Sequence, residues 1–154
     1  MAVPKSIQAS VGDWKGKSKL NLPYLPPEEQ VTESESTLRV SVDGTGAFAT
    51  ITYTWSHDGN PQEGTILLVR KAENPAVELA WVDSWHQHES ILYMKGEEAE
   101  SGSVRVEGSW PAGDEMWGWT IELVLAEASL VLKMEVVQPN GEATWAVEGT
   151  YSRT

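Results

Sequence analysis

The segment TIELVLAEASLVLKMEVVQPNGEATWAVEGTYSR (residues 120–153) decides the fold class. Apolar and polar side chains alternate through three runs, and two turn signals divide them: Glu127–Ala128 and Asn140–Gly141. Alternation of period two is the mark of a half-buried strand, and Asn-Gly is a strong hairpin signal. A two-residue Asn-Gly turn sets Pro139 opposite Glu142, and then Val136 opposite Trp145, Met134 opposite Val147 and Leu130 opposite Tyr151. The Glu127–Ala128 turn pairs Leu125 with Leu130, Leu123 with Leu132 and Ile121 with Met134. Both registers place Lys133 between Glu122 and Glu148 on the other face, a solvent-side charge ladder. A one-residue slip would invert every side chain, so agreement between two turns is informative.

Working outward, the same alternation predicts ten strands, at about 13–22, 32–42, 47–57, 64–71, 77–85, 90–95, 103–110, 117–126, 129–137 and 143–152. Short connectors such as DGTG (43–46) and AENPA (72–76) make successive strands antiparallel neighbours. In the middle of the chain Leu67 is expected to face Trp81 and Val69 to face Leu79 inside, with Arg70 against Glu78 outside. No strand–helix–strand spacing occurs, which excludes a parallel sheet. Ten antiparallel strands with one apolar face are expected to close on themselves, because closure removes the sheet edges. The expected architecture is an all-β, single-domain, ten-stranded antiparallel up-and-down barrel with a short N-terminal helix or turn.

Composition narrows the function classes. A formal net charge of −12 argues against nucleic acid and against anionic membrane surfaces, both of which attract clustered Lys and Arg. The chain has no Cys, which removes disulfides, thiolate nucleophiles and Cys-based metal sites. The opening MAVPKSIQAS lacks the apolar run of a signal peptide, and no segment is long enough to span a bilayer, so a soluble cytoplasmic protein is expected. Eight Trp against a single Phe is the unusual count.

VGDWKGK (11–17) resembles the Gly-x-Trp opening of the calycins, which include lipocalins, fatty-acid-binding proteins and haem-binding nitrobindins. The resemblance implies that Trp14 packs at the closed end of the barrel against a basic residue from the chain's end, here Arg153. YTWSHDGNPQEG, AWVDSWH and AVEGTYSR resemble, over nearly the whole chain, an uncharacterised calycin-like family of unknown function. Nitrobindin likeness would imply haem held by a His near the barrel's end. No His follows His88, so no cofactor is expected unless a Tyr or an earlier His replaces that ligand.

The meander sorts residues between two ends. Gly12, Trp14, Tyr151 and Arg153 gather at the closed end. The loops 23–30, 58–63, 86–89, 111–116 and 139–142 gather at the other, with Trp55, Trp85, Trp110, Trp117, Trp119, Trp145, Asp83 and all three His residues. Ser34 and Ser36 are expected to face Trp55 and Tyr53, and Thr65 to face Asp83. This is the pattern of an amphipathic pocket with a mouth, over which PYLPPEE (23–29) is a candidate lid.

Asp83 has inward parity between Trp81 and Trp85, and it reads either as a structural tether or as a ligand contact. A tight turn at Gln87–His88 would pair His86 with Glu89 and Trp85 with Ser90. Zinc would need His86, His88 and a third ligand such as His57 or Glu89; a hairpin tip accounts for these residues more simply, and no metal site is expected. The expected function is non-covalent binding of a small, mainly apolar or aromatic molecule. Tyr53, Trp55, Trp85, Trp117 and Trp119 supply its walls, and His57 and Asp83 its polar contacts. The alternatives are an enzyme using Asp83 and a rim His as an acid–base pair, and a packed barrel that forms a homodimer through an exposed aromatic rim.

Overall fold

The computed structural model describes residues 3–72, 75–87 and 89–154. Ten strands run in chain order: β1 Gly12–Asn21, β2 Val31–Val42, β3 Phe48–His57, β4 Asn60–Arg70, β5 Ala76–Asp83, β6 Leu92–Glu98, β7 Val104–Ala112, β8 Glu115–Leu125, β9 Ser129–Val137 and β10 Ala143–Arg153. Each pairs antiparallel with its sequence neighbour, and β1 pairs with β10 to close the barrel. Closure leaves no sheet edge, the reason an all-antiparallel chain of this pattern curls. No helix among the described residues is long and apolar enough to cross a membrane.

Inward residues of every strand meet in one core. Ile51, Ile66, Leu68, Leu79, Trp81, Met94, Ile121, Leu123, Leu130 and Leu132 are all essentially inaccessible. Burial of side chains this size contributes roughly 1.5–3 kcal/mol each. One end is stoppered by the short helix α1 (Lys5–Ala9), which buries Ile7, and by Val3, whose N–H donates to Gly46 O. Trp14 lies beneath this stopper, its Nε1 donating to Ser10 O at 2.9 Å. The Arg153 guanidinium stacks 4.4 Å from the Trp14 ring and donates to the Val11 and Ala9 carbonyls. The aromatic–cation pair expected at the closed end is therefore present.

The β8–β9 register is as expected, with Leu125 against Leu130, Leu123 against Leu132 and Ile121 against Met134. Lys133 lies between Glu122 and Glu148. The β9–β10 hairpin departs from expectation at its tip. Gln138 N–H bonds Glu142 O across a three-residue loop, with Gly141 at φ 90°. Val136 consequently faces Thr144, not Trp145, and a bulge between Trp145 and Val147 restores the expected partners of Met134 and Leu130. A left-handed residue in a three-residue loop shifts register by one, and the bulge cancels that shift. Trp145 is left on the outside, 37% exposed, and does not join the Trp cluster expected at the open end.

The β3–β4 connection also differs. Asp58 and Gly59 both have positive φ, 50° and 77°, and form a two-residue turn that pairs His57 with Asn60. Positive φ at both central residues is the signature of the type I′ hairpin. Residues 60–63 thus belong to β4 and not to a loop, and the strand enters one residue out of the expected phase. Ile66 faces Trp81 and Leu68 faces Leu79, while Leu67 is outside; Val69 faces Glu78, Arg70 faces Val77, and Thr65 faces Val82. Gly64, not Thr65, lies opposite Asp83. Between β2 and β3, Tyr53 faces Leu38 instead of Ser36, an offset of two that preserves the inward parity of both strands. The β7–β8 connection is a tight turn at Gly113–Asp114, shorter than the expected 111–116 loop.

Candidate functional site: the aromatic mouth

β5 stops at Asp83 because the side chain of that residue folds the backbone into a turn. Its Oδ1 accepts the N–H groups of Trp85 at 2.8 Å and His86 at 2.9 Å, and Gln87 N–H returns to Asp83 O. Short side chains with this local bonding compete with strand hydrogen bonds and favour turns. Ser84 pins the turn to β4: its N–H donates to Glu63 O, and its Oγ accepts from Glu63 N and donates to Gln62 Oε1. Trp85 and His86 therefore belong to this turn and not to a ladder, so the expected Trp85–Ser90 and His86–Glu89 pairs do not form. His88 lies outside the described residues.

Asp83 is 3% exposed, and its other oxygen is also engaged. Tyr53 donates its hydroxyl to Oδ2 at 2.6 Å and accepts from Trp81 Nε1 at 2.9 Å. Gly64 makes this possible, since a Cβ there would overlap the Tyr53 hydroxyl. Burial raises the Asp83 carboxyl, but the adjacent His86 imidazole, together with the Tyr53 hydroxyl and a backbone N–H, outweighs it and holds the group below its ordinary value. Burial, with the Asp83 charge beside it, pushes the Tyr53 hydroxyl well above its ordinary value. Asp83 is thus a tether whose acceptor capacity is largely spent within the fold.

The turn delivers His86 into the barrel. Its side chain is 10% exposed, and Nδ1 sits 3.4 Å from Asp83 Oδ1. Four indole rings surround it: Trp85 at 4.8 Å, Trp119 at 5.1 Å, Trp55 at 5.7 Å and nearly parallel, and Trp81 at 6.0 Å. Trp119 stacks on Trp81 at 5.1 Å and 16°, and Trp55 meets Trp85 edge-on. His57 reaches Trp85 at 5.3 Å from the rim, with Nε2 3.4 Å from Asp58 Oδ2. Nδ1 of His57, Nδ1 of His86 and Nε1 of Trp119 are buried without a hydrogen-bond partner among the described residues. Below the rings a cavity of about 10 Å³ is lined by Ser18, Tyr53, Asp83, His86 and Tyr151. Tyr151 and Ser36 share a 2.8 Å hydrogen bond at its floor.

Six of the seven residues expected at the site converge here: Tyr53, Trp55, His57, Asp83, Trp85 and Trp119. Among the described residues Trp117 makes no ring contact with this cluster. It pairs across strands with half-buried Trp110 and lines a groove of about 310 Å³ with Trp119, Met116, Gly118 and Val137. Two rings that matter were not among the expected site residues. Trp81, expected inside opposite Leu67, forms one wall, and His86, read as part of a hairpin tip, is the centre. The spacing Asp83-x-x-His86 is the available signal, since a capping Asp returns the third residue on toward itself. The PYLPPEE segment folds as a turn followed by a 3₁₀ helix (Pro27–Glu29). Leu25 packs against the core, while Tyr24 is 75% exposed. Among the aromatic residues expected at the rim, Trp55 and Trp119 are buried and Trp145 is exposed. Other large exposed apolar side chains include Leu67 on β4, Val82 on β5, Ile91 just before β6 and Tyr93 on β6.

A family described as Protein of unknown function (DUF1579) matches residues 3–153. The chain belongs to that family. Comparison with curated protein sequences gives no match. Among solved structures, this DUF1579 member is similar to Rv2717c from M. tuberculosis, with a TM-score of 0.68 and 15% identity over 100% of this chain and 99% of that one. Identity at that level supports the shared fold alone. Haem does not fit the interior as arranged: the indoles and His86 occupy the mouth, and the residual space is about the size of one water molecule.

Proposed function

We propose that this chain is a calycin-like binding barrel that takes a small aromatic or mainly apolar molecule into its Trp-lined end. The observation that carries the reading is the cluster of three partnerless ring nitrogens, those of His57, His86 and Trp119, around one mouth. Buried polar groups are nearly always hydrogen-bonded, and the exceptions concentrate where something else supplies the partner. Aromatic walls with a few convergent polar atoms are the usual composition of a small-molecule site.

Drug-sized pockets enclose roughly 300–1,000 Å³, far more than the 10 Å³ cavity here. Entry must therefore move a side chain. The Ser84–Gln87 turn is the element to move, since it contributes two rings, Trp85 and His86, to the plug. Displacing them vacates the volume of an indole and an imidazole.

The Asp83–His86 contact also invites a catalytic reading with the pair as acid and base. Asp83 accepts three hydrogen bonds from the protein itself, two from backbone N–H groups and one from Tyr53, which favours positioning over proton transfer. Native mass spectrometry of gently purified protein, with tryptophan emission titrations against a panel of small aromatic compounds, tests the proposal. A retained small-molecule mass or a saturable emission change, abolished in Trp55→Ala, is the expected result. A bare mass and flat titrations across the panel would overturn it.

A further inference from the structure

His86 occupies an environment that chemistry associates with bound cations. Indole faces attract positive charge when it lies within about 6 Å of the ring centroid; all four indole centroids lie within that distance of His86, with Trp55 stacked on it, Trp81 and Trp119 tilted and Trp85 at an edge-type angle. A carboxylate completes the set, with Asp83 Oδ1 3.4 Å from the imidazole nitrogen. Among the described residues the buried polar and charged ones are Ser10, Ser18, Ser36, Asp83 and Thr120, so no buried Lys or Arg among them balances the carboxylate. An anionic ligand would bring a second negative charge beside Asp83. A neutral apolar ligand would leave the carboxylate with its three internal hydrogen bonds but with no opposing charge beside it. A cation meets both the carboxylate and the ring faces. The net charge of −12 draws cations toward the molecule as well.

We infer that the aromatic mouth is a cation-selecting cage, that His86 is its built-in occupant, and that its ligands are small flat protonated nitrogen heterocycles of the imidazole class. Such a ligand takes the place of the His86 ring between Trp55 and Trp119, with an N–H directed at Asp83, while the Ser84–Gln87 turn carries His86 outward. This inference rests on the binding reading above and names its ligand class. The tethered imidazole acts as an intramolecular competitor. Short tethers give effective concentrations of order mM, so free ligand must exceed that range in the intact protein or gain further contacts.

The test is to empty the cage and ask what refills it. His86→Ala is titrated with imidazole and with pyrrole, a ring of the same shape and with an N–H but without the basic nitrogen, following tryptophan emission. Imidazole binding at least tenfold tighter than pyrrole, with selectivity lost in the Asp83→Asn/His86→Ala double variant, is the expected result. Asn keeps one acceptor oxygen for the turn while removing the charge. Equal binding of the two rings would overturn the inference and leave the broader binding reading standing. Failure of both rings to enter folded His86→Ala would overturn the two together. Should His86→Ala not fold, the intact protein is titrated into the tens of mM. An emission change with imidazolium and none with pyrrole then supports the cage, and identical responses reject it.

Discussion

Tyr53 and Asp83 lie 30 residues apart in sequence and meet across 2.6 Å inside the barrel. That bond joins β3 to the last residue of β5, on either side of β4. It also sets the position of Trp81, whose Nε1 donates to the same hydroxyl. One residue of the chain beyond Asp83, the turn carrying Trp85 and His86 begins. The architecture of the mouth therefore hangs on a single buried carboxylate and its phenol partner.

Removing either member has an expected order. Tyr53→Phe leaves Asp83 Oδ2 and Trp81 Nε1 without partners and should cost roughly 1–3 kcal/mol. Asp83→Ala strips acceptors from two backbone N–H groups and from Tyr53, and should cost about 3 kcal/mol or more. Asp83→Asn retains the turn geometry and should lie nearer to the native protein. Urea unfolding of the three variants measures the series. If Asn proved as damaging as Ala, charge and not turn geometry would be what holds the site.

Gly64→Ala should be disproportionately harmful for a change of one methyl group. The new Cβ would occupy the position of the Tyr53 hydroxyl, so either the phenol or β4 must shift. Overpacking of this kind costs about 1–3 kcal/mol. Pairing it with Tyr53→Leu in a double-mutant cycle should give a clearly non-additive result, since the clash vanishes with the phenol. Additivity would mean that the strain lies in the backbone of β4 itself.

Arg153→Ala should loosen the closed end. The guanidinium both covers the Trp14 ring and ties the chain's last strand to the carbonyls of Ala9 and Val11 behind α1. A loss of roughly 1–2 kcal/mol is expected from the cation–π contact and the hydrogen bonds together. Arg153→Lys should recover only part of it, because an ammonium lacks the planar fork that reaches two carbonyls while stacking. Hydrogen exchange of the Trp14 indole N–H reports the effect locally; unchanged protection in Arg153→Ala would show that α1 alone seals this end.

The fold was legible because alternation is a property of nearly every strand and because two hairpins fix the face of the last three independently. Parity of Asp83, Trp55 and Trp119 followed from it. Register at single turns was less secure for a physical reason: turn type shifts phase by one residue. Asp58–Gly59, a strong hairpin dipeptide, places Ile66 rather than Leu67 inside. At Asn140–Gly141 a three-residue loop and a bulge cancel each other, so the core pairing survives while Trp145 is turned out. His86 was hidden by a different effect. Strand periodicity stops applying at a capping Asp, and the direction of the next three side chains is then set by local hydrogen bonds that alternation does not encode.

The same buried pair predicts how stability responds to pH at both extremes. Asp83 is held below its ordinary carboxylate value in the folded chain, so the unfolded chain takes up its proton first as pH falls. Its contribution is complete above the ordinary value of 3.8 and declines as pH drops through the lower folded value. Asp83→Asn should accordingly flatten the acid limb of a stability–pH profile. Tyr53 and Tyr151 are both raised above 10.0, chiefly by burial, so their contribution is complete below pH 10 and is lost on going higher, as the unfolded chain releases protons the folded chain retains. Phenolate absorbance should show two hydroxyls that ionise only together with unfolding. Tyr53→Phe should remove one of them and push the alkaline transition to a less steep dependence on pH. A smooth titration of all four Tyr residues in a protein that keeps its near-ultraviolet dichroism would mean that solvent reaches the Tyr53–Asp83 bond without opening the barrel.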